Sequence, residues 1–151
     1  AALAFYTEVI GWGVQSQDGY RMVASQNGPI GGIEALPDEA VQMGAPPHWL
    51  AYVSVEDVDH TASRAAELGG SVLVAPKDIP NVGRFTVLRG PDGTVIAAFR
   101  GKDPDWQPDP DVVPGAMVWH ECYADDLDTT WSFYSALFGW HASQSVPMGE
   151  L

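Results

Sequence analysis

The residues of this 151-residue chain that could hold a metal, carry a proton or attack a substrate are few: four histidines, one cysteine and a scatter of carboxylates. His48 follows Pro46-Pro47 at the start of an apolar run, so it is expected to open a strand, half exposed and bonded to backbone. Glu34, within Ile33-Glu34-Ala35, reads equally well as a solvated carboxylate at a strand end or as a cleft residue. Buried without a partner, a carboxyl titrates high, and Glu34 would then be a proton carrier. His120 and Glu121 are neighbours in a run expected to be extended, so they point to opposite faces and do not chelate together. His60 and His141 have no partner in sequence and receive no role. Cys122 has no base arranged near it and is expected to be a small buried hydrophobe. The G-x-S-x-G, H-E-x-x-H and P-loop signatures are absent.

The elements that must position these residues emerge from a comparison of the chain with itself. Ala4-Phe5-Tyr6-Thr7-Glu8-Val9-Ile10-Gly11-Trp12 repeats as Ser132-Phe133-Tyr134-Ser135-Ala136-Leu137-Phe138-Gly139-Trp140, with Phe-Tyr and Gly-Trp identical. In the second copy Leu127, Trp131, Tyr134, Leu137 and Phe138 form one helical stripe. Asp125 or Asp126 suits its N-cap and Gly139 its stop. The first copy carries Leu3, Tyr6, Val9 and Ile10, closed by Gly11, and starts inside its helix. Between the copies lies a weaker version of the unit. His48 to Val55 reads as a strand, Val58 to Leu68 as a helix capped by Asp57, and Ser71 to Ala75 as a strand. Arg84 to Arg89 and Thr94 to Arg100 then flank the hairpin turn Gly90-Pro91-Asp92-Gly93, giving the order strand, helix, strand, strand, strand.

In the first unit, strands are expected at Trp12 to Gln17, Tyr20 to Ser25 and Ile30 to Leu36, punctuated by Asp18-Gly19 and Asn27-Gly28. Residues 101–115, rich in Pro and Asp, read as a linker, and Ala116 to Ala124 as a new opening strand. The expected organisation is therefore a domain over 1–100 made of two units, the first without its opening strand, and the start of a second domain over 116–151. The unpaired opening strand could fill the vacancy in the first unit, within the chain or between copies, which makes a homo-oligomer through strand pairing an expectation.

Composition narrows the function classes. With 46% hydrophobic residues and 11% aromatics the chain can bury a core. Seven Lys plus Arg against twenty Asp plus Glu give a charge of -13, which repels nucleic acid and anionic membranes. No stretch reaches the ~20 apolar residues of a membrane span, and no secretory leader is visible, so a cytoplasmic protein is expected.

The segments AFYTEVIGW and SFYSALFGW, the stretch PPHWLAYVSVEDVDHTASRAAELGGSVLVAP, the hairpin GPDGTVIAAF and PGAMVWHECYADDLDTTWSFY resemble the vicinal oxygen chelate superfamily, the glyoxalase, bleomycin-resistance and extradiol-dioxygenase group. The similarity is to its tandem, glyoxalase-like members. It implies an α+β fold in which paired βαβββ units form a curved mixed sheet around a cleft, helices outside. It also implies a divalent metal, Ni, Zn, Fe or Mn, held by His and Glu on the opening and closing strands, a Lewis acid for adjacent substrate oxygens. Against that pattern the closing-strand position falls on Ala97 and the opening-strand position on Leu50, with His48 two residues earlier on the same face. Glu34 matches the first unit's closing-strand ligand. Two of the three positions fail, so no metal ligand is assigned.

Strand alternation sends His48, Leu50, Tyr52 and Ser54 to the cleft and Trp49, Ala51, Val53 and Val55 under the helix, while Val95, Ala97 and Phe99 face the cleft from the closing strand. Glu34, His48, Leu50, Tyr52, Val95 and Phe99 are thus the expected ligand-binding residues. The favoured reading is a metal-independent small-molecule binding protein, and the chain's acidity would suit a cationic antibiotic. The alternative is a divalent-metal-dependent lyase, isomerase or dioxygenase that uses Glu34 and His48; a third reading places the chemistry in a second domain.

Overall fold

The computed structural model describes residues 2–17, 20–103 and 112–144. They fall into two compact units, one within Ala1–His48 and Gln107–Glu121, the other within Trp49–Trp106 and Cys122–Leu151.

In the first unit, helix α1 (Ala2–Val9) is followed by three strands, β1 (Gly13–Gln17), β2 (Tyr20–Ser25) and β3 (Gly28–Gly32), which form an antiparallel sheet in the order β1-β2-β3. Gly11, at φ 82°, turns the chain out of α1 and folds Trp12 back beneath it, where its indole stacks on Tyr6 at 5.2 Å. A residue with a Cβ adopts that backbone only at a cost. Trp12 is 6% exposed and its Nε1 donates to the Gly115 carbonyl at 2.8 Å. The third strand is shorter than the expected Ile30 to Leu36. Ile33 still donates to the Arg21 carbonyl, but β2 begins at Tyr20, so the chain beyond Ile33 runs out of ladder. Sequence reading also missed the short helix α2 (Asp38–Gln42), whose signal was Pro37 followed by the acidic pair Asp38 and Glu39, favourable at a helix start. The Asp18-Gly19 turn lies outside the described residues.

The second unit is the strand, helix, strand, strand, strand module read from the sequence: β4 (Tyr52–Ser54), α3 (Val58–Glu67), β5 (Ser71–Ile79), β6 (Gly83–Arg89) and β7 (Val95–Gly101). Its sheet runs β4-β7-β6-β5, with β4 parallel to β7 and the other pairs antiparallel. The Asp57 carboxylate accepts the His60 amide and starts α3, as expected of this cap. Ala62 and Ala65 of α3 pack with Leu88 and Ala98 of the sheet, with Val55 and Ile96 at the margin; of the four residues expected under the helix only Val55 joins this core, while Trp49 and Ala51 are exposed. Small residues on α3 let it sit close to the strands. The opening strand is three residues long rather than His48 to Val55. The parallel pairing with β7 runs only from Tyr52, beside Ala97, to Ser54, beside Phe99.

Helix α4 (Leu127–Phe138) starts at Asp126, whose side chain accepts the Thr129 amide, and stops at Gly139 with φ 71°. It joins the second unit's core through Phe133 and Tyr134. Leu127 and Trp131, counted in the apolar stripe, are exposed, and Thr130 is buried in their place. Ala116 to Ala124 forms no strand. An extended segment becomes a strand only against a neighbour that takes up its amides and carbonyls, and this one has no ladder among the described residues. No helix among the described residues is long and apolar enough to cross a membrane.

Candidate functional site

The sheet of the second unit has two faces of opposite character. The face under α3 carries Thr86, Leu88, Ile96 and Ala98 and, at its edge, Arg84. The Arg84 guanidinium donates to both Asp59 oxygens, at 2.7 and 2.8 Å, and to Asp78 at 2.8 Å. These bonds hold the Asp59 carboxyl below its ordinary range, and Arg84 stays protonated throughout. Two of this unit's acidic groups are thereby engaged on the helix side.

The face turned away from α3 is aromatic. Tyr52 of β4 lies 6.2 Å from Phe99 of β7, edge to face, and 6.4 Å from Phe85 of β6. Ala97, fully buried, sits between Tyr52 and Val87 in the ladder. Beneath the Phe99 ring the register pairs Gly83 with Gly101. A Cβ at Gly83 would stand 2.8 Å from the ring and 2.3 Å from the Arg100 carbonyl, so the ring occupies the slot that two missing side chains leave. On the Phe85 side, Lys77 of β5, registered opposite Phe85, places its Nζ 5.2 Å from the ring centroid. Arg89 lies on the same face two on-face positions further along β6. The registered residues of this face, from Tyr52 and Ser54 across to Ser71, Val74 and Lys77, include no carboxylate.

Of the residues read from the sequence, Tyr52, Val95 and Phe99 do share this face, and Leu50 precedes it on the chain. Phe85, Lys77 and Arg89 were missed. The alternation in Arg84-Phe85-Thr86-Val87-Leu88-Arg89 was the available signal for the middle strand; the placement of Lys77 depends on a bulged register that sequence does not display.

His48 and Glu34 belong to the first unit. The His48 ring is exposed and its Nδ1 donates to the Pro46 carbonyl at 2.7 Å, as expected for a histidine after two prolines. Glu34 does not meet the condition for a proton carrier. It is exposed, and its Oε1 accepts the Arg21 amide at 2.6 Å while Oε2 faces the guanidinium at 3.4 Å. The Arg21 amide first, and then its side chain, keep the carboxyl below the ordinary range, which leaves it ionised at neutral pH.

Cys122 is exposed rather than buried. Partial desolvation and the nearby Asp92 charge push its thiol up, the opposite of an activated nucleophile. The Trp119 indole donates to Glu121 at 3.3 Å, and neither Glu121 nor His120 lies in a strand.

A second polar cluster, also missed, ties the Gly90–Gly93 turn to α4. The Asp92 carboxylate accepts the Thr94 amide and hydroxyl through one oxygen and the Thr130 hydroxyl through the other. Thr94 also shares a hydrogen bond with the Tyr134 hydroxyl. Burial alone would raise the Asp92 carboxyl, but the hydroxyls of Thr130 and Thr94 outweigh it and lower it.

The residues present do not fit the implied metal. Ala97 offers a methyl where a carboxylate would be needed, Glu34 is engaged by Arg21, and no group of three His, Cys, Asp or Glu is gathered among the described residues.

Residues 1–98 match the model of the Glyoxalase/Bleomycin resistance protein/Dioxygenase superfamily. CFP32 of Mycobacterium tuberculosis (strain CDC 1551 / Oshkosh), whose name proposes a glyoxylase, is 38% identical over 104 residues, 66% of this chain and 38% of that protein. The anthracycline biosynthesis protein DauV of Streptomyces sp. (strain C5) is 34% identical over 98 residues, 65% of this chain and 35% of that protein. The chain thus spans well under half the length of these curated relatives. Among solved structures, TnmS3, described as an antibiotic binding protein from Streptomyces sp. CB03234, matches at 27% identity over 65% of this chain and 82% of that one, with a TM-score of 0.31.

Proposed function

Because the chain belongs to the Glyoxalase/Bleomycin resistance protein/Dioxygenase superfamily, we propose that it is a small-molecule binding module that receives a planar, mainly apolar ligand on the aromatic face of the second unit's sheet, without a metal. Ala97 carries this reading. At the position where the family's carboxylate would stand there is a buried methyl, flanked by Tyr52 and ringed by Phe85 and Phe99. Such a surface has no carboxylate or imidazole for a cation but offers ring faces and edges to another π-system. The resemblance to proteins named for anthracycline biosynthesis supports a fused-ring ligand. The tandem organisation, with 1–100 as one domain, 101–115 as linker and 116–151 opening a second, belongs to the same proposal.

The test is titration of the protein's tryptophan and tyrosine fluorescence with a neutral planar probe, anthraquinone-2-carboxamide. Saturable binding is expected, weakened about ten-fold by Tyr52→Ala, the effect of one lost aromatic contact. Stoichiometric Ni, Zn, Fe or Mn in the purified protein, lost when Glu34 and His48 are both changed to Ala, would replace this reading with the metal-dependent lyase, isomerase or dioxygenase.

A further inference from the structure

We infer that the ligand of this aromatic face is an acid: a planar arene bearing a carboxylate or a comparable anionic group, with Lys77 as the residue that selects it. The inference rests on the aromatic-face reading above and adds its charge. The chain carries only seven Lys and Arg among 151 residues at a net charge of -13, yet the charged side chains this face takes from the sheet are Lys77 and Arg89, both cationic. Neither has an ion pair among the described residues. Three of the unit's acids are directed elsewhere: Asp59 and Asp78 to Arg84 on the α3 side, and Asp92 to Thr94 and Thr130 at the turn. A cationic ligand, which net charge alone would favour, meets the like charges of Lys77 and Arg89, and Lys77 already takes the cation–π contact of Phe85; an anion meets an ammonium with no ion pair among the described residues.

Position makes Lys77 the selector. Its Nζ stands 5.2 Å from the Phe85 centroid, held by the cation–π attraction beside the ring on which an arene would stack. A planar ligand over Tyr52 and Phe85 therefore brings a peripheral acidic substituent to an ammonium already in place, with little side-chain freedom left to lose. Arg89 lies farther along β6 and would act only as a longer-range bias.

The experiment compares two probes of the same shape, anthraquinone-2-carboxylate and anthraquinone-2-carboxamide, by fluorescence titration and calorimetry at pH 7. The carboxylate is expected to bind about five-fold more tightly, with the preference shrinking as KCl rises from roughly 50 to 500 mM. Lys77→Met should remove the preference, read as the ratio of carboxylate to carboxamide affinity within each protein, and Lys77→Arg should restore it; a ratio that survives Lys77→Met would overturn the assignment. Equal affinity of the wild-type protein for both probes would sink the charge inference and leave the aromatic face standing, provided Tyr52→Ala weakens both. Saturable binding of neither probe would sink both. Unfolding transitions of each variant at the wild-type midpoint exclude misfolding as the cause.

Discussion

Helices α1 and α4 are copies of one sequence with different fates. Their local geometry agrees: Phe5 meets Tyr6 edge to face at 5.2 Å, and Phe133 meets Tyr134 the same way at 5.2 Å. In each, the Gly after the helix takes a positive φ, and a Trp six residues beyond the Tyr returns to it, Trp12 at 5.2 Å and Trp140 at 5.9 Å. Burial differs completely. Phe133 and Tyr134 are 3% and 5% exposed, packed with Ala62, Ala65 and Leu88, whereas α1 buries no residue and Phe5 is 56% exposed. Trp12 is the buried indole of its copy and Trp140 the exposed one. Sequence alone sets the turn of helix and the angle between rings; which side of the helix leaves water is decided by what other element is there to receive it.

The sharpest way to break the comparison is the pair of Phe substitutions. Phe133→Ala should cost about 3–5 kcal/mol, because it empties a packed site beside α3, and Phe5→Ala less than about 1 kcal/mol. Urea titration of both variants measures the difference, and equal losses would mean that Phe5 is buried in solution. The tryptophans should invert the order. Trp12→Phe strands the Gly115 carbonyl and should cost about 1–2 kcal/mol, while Trp140→Phe should barely move the urea midpoint.

A pH-dependent effect belongs to the polar tie that only the second copy possesses, since Ala2 stands where Thr130 does in α4. Asp92→Asn should cost about 1 kcal/mol at pH 7. Because the folded-state carboxyl titrates below its ordinary 3.8, its contribution is complete above that value and is lost as pH falls through the folded-state value. The gap between wild type and variant in thermal midpoint should therefore be constant from pH 7 to about 5 and close below pH 3.8. A gap that widened with acid would remove Asp92 from the account.

How much was legible follows the same division. Helices α3 and α4, the cap Asp57, the α4 cap to within Asp125 or Asp126, the stop at Gly139 and the order of the middle module were all visible, because caps, periodicity and turns are written in neighbouring residues. Alternation also set Tyr52, Val95 and Phe99 apart from Val55, but it sorted Trp49 and Ala51 with Val55 and both are exposed, because they lie before the start of β4. Glu34 was ambiguous because its state depends on Arg21, a cross-strand neighbour. Lys77 escaped because two irregularities in the β5–β6 pairing decide which residue stands opposite Phe85. The run Ala116 to Ala124 has strand-like residues, and the ladder that would make it a strand is not in its own sequence.

The glycine pair under Phe99 has a consequence for the ligand's side of the molecule. An alanine at position 83 would stand 2.3 Å from the Arg100 carbonyl and 2.8 Å from the Phe99 ring, so the β6–β7 backbone would have to shift as well as the ring. Phe99 is itself part of the proposed ligand surface, so the substitution would reshape that surface without replacing any of its side chains. The proposed ligand preference of this face would then be open to change from behind, by mass added where the chain now has none.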